Sequence, residues 1–390
     1  MARNKMAGRE NKRNRQGKRL ALVVLLLITG YCAGCGNGKD AAAKGETTEI
    51  FGSWTISPAG ILRVDERNYL RFYSQESDST VYLCNQAGCS HQDKNCSAYV
   101  ENLRTAFYYN DYLYLIQSDN THTRIQRANR YGENRQLLGE TEAFPLSFSM
   151  RLYEGKLYFI GDMWDFEQDK NSQGLYAFDL KDGTMEVFSN ADTGYPISNV
   201  ADFLLTDQYI YTHYTACDID VNDYFDFNTG ELQGIQWDSI IYTPLLYRTD
   251  RQTGETDLLI EEAGAELTLL EAEGEKLVVR LGDSILRYEG KEPVETLYTY
   301  SGGEEYWQVK SFGTGYLISD LPSASQFLIL KDFTETGSFA DPEGKATIYY
   351  GAAGDMLYFN GSIGNQGVLY SMEREDFEAG NYEFHLINID

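Results

Sequence analysis

The sequence predicts an all-β fold, a β-propeller of seven blades over residues 51–390, and three observations carry that reading. Alternating aromatic and aliphatic runs recur along the chain, each introduced by a turn of Gly, Asp or Asn. Their spacing falls mostly near 40 to 50 residues, the length of a four-stranded blade. No eleven-residue window shows an apolar stripe at i, i+3, i+4 and i+7, so helices should be few.

Residues 1–34 read as an export signal and stand outside the fold. Eight basic side chains precede the uncharged apolar run Leu20–Tyr31, which is shorter than the roughly 20 residues a membrane-spanning helix needs. Cys32-Ala-Gly-Cys35-Gly36 follows. This segment resembles the lipobox of bacterial lipoproteins, in which a small residue precedes a Cys that is diacylated and becomes the new N-terminus. The resemblance implies lipidation of Cys35 and a protein held at the cell membrane on its extracytoplasmic face. Cys32 stands where that family usually has Leu, and bulky Tyr31 makes Cys32 itself a poor acceptor. Two acyl chains on one Cys anchor stably where a single chain holds only marginally. An ordinary cleaved signal peptide and an uncleaved signal anchor are the competing readings. Residues 35–50 then form the lipidated Cys and a flexible tether, because 36–48 carry no apolar periodicity.

The repeating units begin after the tether. Tyr109–Ile116, Tyr153–Ile160, Thr206–Tyr211, Glu273–Val279, Phe312–Ile318 and Ala353–Phe359 each read as a hairpin turn feeding a strand. Register marks fall at Leu113, Leu157, Ile210, Leu277, Leu317 and Leu357, spaced 44, 53, 67, 40 and 40. Gly174–Phe188, Leu245–Leu259 and the shorter Ile285–Leu297 alternate on both sides of a turn, the pattern of an antiparallel hairpin. The units divide at 51–99, 100–143, 144–195, 196–263, 264–302, 303–343 and 344–390. Seven is the count; the irregular first unit and an insertion in the fourth leave six or eight compatible, and a pair of β-sandwiches is the alternative architecture. Tyr and Leu in these runs are first of all blade-packing residues.

The order of turn, aromatic-rich strand and Leu-Tyr-x-x-Asp hairpin resembles the β-propeller lipoproteins of anaerobic, clostridial-type Gram-positive bacteria. It covers most of the mature chain, with degenerate motifs that imply architecture rather than activity.

Charge narrows the partners. The chain has a net charge of −26. Without the first 34 residues, 25 basic side chains face 58 acidic ones, a net charge of −33. So acidic a body repels phosphate backbones, and no basic stripe offsets it, so nucleic acid is not an expected partner. The membrane contact is expected through the N-terminal lipid rather than through a polybasic patch.

One constellation carries chemistry: Cys84-x4-Cys89-x-His91-x4-Cys96, directly after the strand-like Ser79–Leu83. Three thiolates and an imidazole satisfy tetrahedral Zn²⁺ in structural sites. Export permits disulfides instead, and Cys84, Cys89, Cys96 and Cys217 make an even number once Cys35 is set aside; reduced packing residues are the third possibility. A similar Leu-Cys-x4-Cys-x-His segment recurs, by resemblance, in the same lipoprotein group. Asp218-Ile-Asp220-Val-Asn222-Asp223 opens like a calcium loop but has Thr229 where an EF-hand has Glu. Tyr224–Phe227 and Trp237 would offer stacking surfaces if exposed. No G-x-S-x-G occurs, and His122, His213 and His385 lie in different units, so no catalytic residues are assigned.

The expected function is a membrane-anchored, extracytoplasmic propeller acting as a non-catalytic binding or scaffold module for a glycan, peptide or envelope protein. The alternative is a carbohydrate-active enzyme using paired carboxylates on the propeller face.

Overall fold

The computed structural model describes residues 48–387 apart from 51–53, 58–59, 120–121, 166–169, 190–192, 220–224, 227–230, 233–239, 303–306, 321–325, 342, 345 and 364–365. A first strand, β1 (Thr48–Ile50), precedes seven four-stranded antiparallel sheets. Blade 1 holds β2 (Trp54–Ser57), β3 (Gly60–Val64), β4 (Leu70–Ser74) and β5 (Ser79–Tyr82); blade 2 holds β6 (Leu103–Tyr109), β7 (Tyr112–Ser118), β8 (Thr123–Asn129) and β9 (Gln136–Thr141). Blade 3 comprises β10 (Phe144–Tyr153), β11 (Lys156–Asp165), β12 (Lys170–Asp179) and β13 (Met185–Ser189). In blade 4, β14 (Ile197–Leu205) and β15 (Tyr209–Cys217) are followed by a small hairpin, β16 (Phe225–Asp226) and β17 (Glu231–Leu232), before β18 (Tyr242–Asp250) and β19 (Thr256–Glu261). Blade 5 is β20 (Leu267–Glu273), β21 (Lys276–Leu281), β22 (Ser284–Glu289) and β23 (Glu292–Thr299). Blade 6 is β24 (Trp307–Ser311), β25 (Tyr316–Asp320), β26 (Gln326–Lys331) and β27 (Thr334–Ala340). Blade 7 has β28 (Ala346–Ala353), β29 (Met356–Ile363), β30 (Gln366–Glu373) and β31 (His385–Ile387), with helix α1 (Arg374–Ala379) between the last two. The expected β-propeller of seven blades is what the chain forms, and the insertion expected in the fourth unit is the β16–β17 segment.

Within each blade the strands lie in sequence order, and the fourth is the most exposed; β23 and β27 are open along nearly their whole length. The first strand is therefore innermost. The six register marks all fall at the second residue of a blade's second strand and are at most 1% exposed. Ile61 occupies that position in blade 1, also fully buried.

Seven apolar clusters fill the seven junctions. Phe107, Leu157 and Phe159 belong to the one between blades 2 and 3, and Phe327, Tyr349 and Phe359 to the one between blades 6 and 7. The innermost strands are bulged at Leu103/Thr105, Pro145/Met150, Val200/Asp202, Leu269/Glu271 and Tyr349/Gly351. A bulge bends and over-twists its strand, which suits strands crowded around a narrow axis.

Among the described residues the ring closes without strand exchange. Every strand of blades 1 and 7 comes from its own contiguous stretch, so their junction rests on side chains: Ile56, Ile61 and Tyr73 pack on Tyr358, Leu369 and Ile387, and Gln75 donates to the buried Tyr358 hydroxyl. β1 instead pairs with β10, adding a fifth, innermost strand to blade 3.

Candidate metal centre

The connection 83–102 leaves the outermost strand of blade 1 and returns as the innermost strand of blade 2. Its ends are fixed by the sheet: the Leu83 amide donates to the Leu70 carbonyl, Leu70 N–H to Ala98 and Val100 N–H to Asn68, while Tyr69 and Tyr99 form an isolated bridge. Between them the chain folds back in tight turns. Cys89 N–H donates to Gln86 and Cys96 N–H to Asp93. Gly88, at φ 74°, supplies the left-handed residue before Cys89, and His91 itself adopts φ 53°. The Asp93 carboxylate caps the second of these turns by accepting from the Asn95 backbone N–H at 2.8 Å.

These turns bring Cys84, Cys89, His91 and Cys96 together, with all four ligand atoms within 4.8 Å of one another. His91 Nδ1 lies 3.3 Å from Cys96 Sγ. Around a tetrahedral zinc, bonds of about 2.3 Å to sulfur and 2.0 Å to nitrogen place ligand atoms roughly 3.5 to 3.8 Å apart. The donors are thus already within an ångström of that geometry, so the site fits the ion its composition favours.

The thiols are not equivalent. Burial opposes the Cys84 thiolate, but hydrogen bonds from Ser97, the Gln86 amide, Cys96 and Cys89 outweigh it and hold this thiol below its ordinary range. Burial, reinforced by Cys84 and Cys89, pushes Cys96 up. The Cys84 thiolate forms readily while Cys96 resists ionisation, and a divalent cation favours the thiolate form of every cysteine it binds. Zinc with three thiolates and one imidazole leaves a single negative charge, and arginines surround it. Arg135, from the start of blade 2's outer strand, donates to the carbonyls of Ser97 at 2.6 Å, Tyr99 at 3.1 Å and Gly132 at 2.9 Å. On the other side Tyr82 stacks on the His91 ring at 4.4 Å and accepts from Arg67 and Arg71 through its hydroxyl at 2.7 and 2.9 Å.

The four cysteines among the described residues, Cys84, Cys89, Cys96 and Cys217, carry free thiols. Cys217 ends β15, buried in blade 4 opposite Tyr242. The two-bridge scheme that the even count allowed would need Cys217 to reach a cluster at the junction of blades 1 and 2. One bridge inside the cluster would leave a thiol and His91 without a role.

The other sequence-marked residues do not converge. His122 sits beside Glu140 in blade 2, His213 is buried in blade 4, and exposed His385 lies in blade 7. Asp218 is exposed, whereas Asp220, Asn222, Asp223, Tyr224, Phe227 and Trp237 lie outside the described residues, as do Cys35 and the whole of 1–47. Sequence reading missed Tyr82 and Arg135. Tyr82 was within reach, two residues before Cys84; Arg135 lies in the next repeat, and no local signal marks it.

No protein-family model matches the chain, and no curated protein matches it in sequence. Solved structures do match in fold. A prolyl endopeptidase superposes with a TM-score of 0.57 at 12% identity, over 87% of this chain and 50% of that one. The acylaminoacyl peptidase of Pyrococcus horikoshii gives 0.51 at 12% identity, over 84% and 50%. This chain spans about half the length of those two peptidases. The β-propeller domain of the Trilobed protease from Pyrococcus furiosus, described as having an open velcro topology, gives 0.50 at 10% identity over 88% of this chain and 98% of that domain. At such identities the likeness establishes the propeller fold.

Proposed function

We propose that this protein is a lipid-anchored, extracytoplasmic propeller that serves as a non-catalytic binding or scaffold module, with zinc at Cys84, Cys89, His91 and Cys96 as a structural clip. The observation that supports a binding role is the unequal elaboration of the two faces. Turns between first and second strands are short, as at Asn110–Asp111, Glu154–Gly155, Gly274–Glu275 and Gly354–Asp355. The opposite face carries the connections from second to third strands and from blade to blade, including 83–102 and 218–241. A rigid scaffold with elaborated loops on one face is the arrangement binding proteins use. The partner is expected to be a glycan, a peptide or another envelope protein. Full-length protein applied to a glycan array, and cross-linked to its neighbours on intact cells, tests this: retention of a partner without product release supports it. Glycan hydrolysis abolished by a single Asp or Glu change would replace it with the enzymatic reading. The anchor is tested separately by loss of membrane association in Cys35→Ser.

A further inference from the structure

The last residues of the 83–102 connection wall a polar recess on the elaborated face of blade 2. Glu101 and Asn102 from the connection, Gln117 from the end of β7, Asp119 and His122 from the β7–β8 turn and Arg124 from β8 line about 70 Å³. Hydrogen bonds fix one wall to the other: Ser118 N–H donates to the Asn102 carbonyl at 2.9 Å, and the Gln117 carboxamide donates to the Glu101 carbonyl at 2.7 Å. Lys94 ties the Glu101 carboxylate back to the cysteine-bearing turns at 2.8 Å. On the far side the Asp119 carboxylate accepts from the His122 backbone N–H at 2.8 Å and pairs with Arg124 at 3.5 Å. Glu140, opposite Arg124 on β9, holds the same guanidinium at 3.2 Å. The recess is thus lined by side chains already held in place by one another.

We infer that this recess is a subsite for a neutral carbohydrate, holding the hydroxyl-bearing edge of one sugar residue in a longer chain, an assignment that rests on the propeller being a binding module. A sugar hydroxyl both donates and accepts, so its site needs both kinds of partner side by side. Asp119, Glu101 and the Gln117 carbonyl oxygen accept, Arg124 and the Asn102 carboxamide donate, and the His122 ring can do either. The Gln117 oxygen is buried with no donor among the described residues. A buried carbonyl in that state is costly, so the recess favours a ligand that brings hydroxyls. Charge disfavours other small ligands. Glu101, Asp119 and Glu140 against Lys94 and Arg124 leave the site slightly negative, which repels phosphate and carboxylate groups. A divalent cation needs several converging oxygen or imidazole donors, and among the described residues such convergence occurs only at Cys84, Cys89, His91 and Cys96. The recess also lies in the least charged sector of the ring. Residues 51–143 hold nine basic and 11 acidic side chains, a net charge of −2, whereas 144–390 hold 14 and 44, a net charge of −30. An uncharged ligand therefore displaces fewer strongly hydrated carboxylates at blade 2 than elsewhere. At about 70 Å³ there is room for a few waters or two adjacent hydroxyls and not for a whole sugar ring, which is why the ligand meets it edge-on.

The test titrates the full-length protein in detergent with uncharged hexasaccharides of glucose, mannose, xylose and N-acetylglucosamine, and with hexagalacturonate as an acidic counterpart, binding being read by calorimetry. The wild type is expected to bind at least one neutral hexasaccharide. Arg124 is exposed on β8, so Arg124→Gln leaves the fold intact and should weaken that binding about 10-fold or more. Gln117→Met keeps the volume without the carboxamide and should weaken it as well, at an unchanged melting temperature. Neutral binding that survives both substitutions places the carbohydrate site elsewhere and overturns the subsite while leaving the binding module standing. Binding of hexagalacturonate alone overturns the neutral class and likewise spares the module. A wild type that binds none of these sugars overturns the inference outright, whereas the binding module falls only if cross-linking on intact cells also finds no partner.

Discussion

If the ring is closed by side chains alone, the junction of blades 7 and 1 is where it should open, and Ile61→Ala is the perturbation that reads this. Ile61 is fully buried, directly opposite Ile56 and Tyr73 on its own sheet and packed in the cluster that includes Tyr358, Leu369 and Ile387. Its counterpart by register is Leu157, equally buried between blades 2 and 3. Truncating either to Ala removes a similar volume and costs about 2 to 5 kcal/mol. Global stability falls alike in both variants, but the consequences differ. At the 7–1 junction no main-chain connection links the two blades among the described residues, so separation requires loss of the packing there and of the Gln75–Tyr358 hydrogen bond. At the 2–3 junction the chain is continuous through 142–143. Taking about 3 kcal/mol, and a tenfold change per 1.36 kcal/mol, local opening beside Ile61 should increase about 100-fold. Hydrogen exchange resolved by peptide would show it: amides of β2, β3 and β28 that exchange by local opening do so about two orders of magnitude faster in Ile61→Ala, whereas in blades 3 to 5 only the amides that exchange through global unfolding accelerate. In Leu157→Ala exchange rises more evenly. Equal, ring-wide acceleration in both variants would refute the idea that the unlaced junction is the first to open.

Three further outcomes are expected. Purified protein should contain one zinc per chain by elemental analysis, lost in Cys89→Ser and in Cys96→Ser, with an unchanged mass on reduction; a gain of 2 Da on reduction would instead mark a disulfide. Arg135→Ala should keep that stoichiometry but release zinc to a chelator about 10-fold or more faster, as loss of an outer support does, because Ser97 and Tyr99 lose their tie to blade 2; an unchanged release rate would remove Arg135 from the centre. His213 is buried with no hydrogen-bond partner for Nε2 among the described residues, and burial lowers its pKa to about 4. Between the ordinary value near 6.5 and about 4 the unfolded chain binds a proton that the fold refuses, so stability contributed by neutral His213 is complete above pH 6.5 and lost as pH falls toward 4. The slope of melting temperature against pH in that window should flatten in His213→Gln, and parallel slopes would refute the assignment.

Much of this was legible because propeller blades repeat a local signal. Leu113, Leu157, Ile210, Leu277, Leu317 and Leu357 each follow a turn that sequence alone reveals, and each is buried at the same strand position. Blade 1 escaped that pattern: Ile61 follows Ser-Pro-Ala-Gly60, without the aromatic run that marks the others. The Cys and His spacing was readable because the four donors lie within one loop. Its supports were not, since Arg135 comes from a different repeat and only the ring brings it near. Nor was closure readable, because strand exchange and plain packing between blades 1 and 7 leave the same alternation in the sequence, and the pairing of β1 with β10 joins segments about a hundred residues apart with no pattern to mark either.

Blade 1 gives the metal centre its physical reason. Its strands have four or five residues each, whereas β10, β11 and β12 have ten. Shorter strands bury less apolar area, and stabilisation scales with that area. The same blade borders the junction that lacks a main-chain tie, so it has the least packing where the ring most needs it. Its other flank is where the chain spends a long connection rather than a tight turn. A loop of that length adds closure entropy and little burial unless something pins it. With the proposed zinc bound, three thiolates, one imidazole and the Arg135 clamp would pin it against blade 2, and a metal bound only by the folded loop would add its binding free energy to the fold. On this argument zinc removal and Ile61→Ala act on the same blade from opposite sides. Their effects on exchange in β2 and β3 should exceed the sum of the two alone, because each leaves blade 1 held by what the other removes. Strict additivity would place the metal outside the energetics of ring closure.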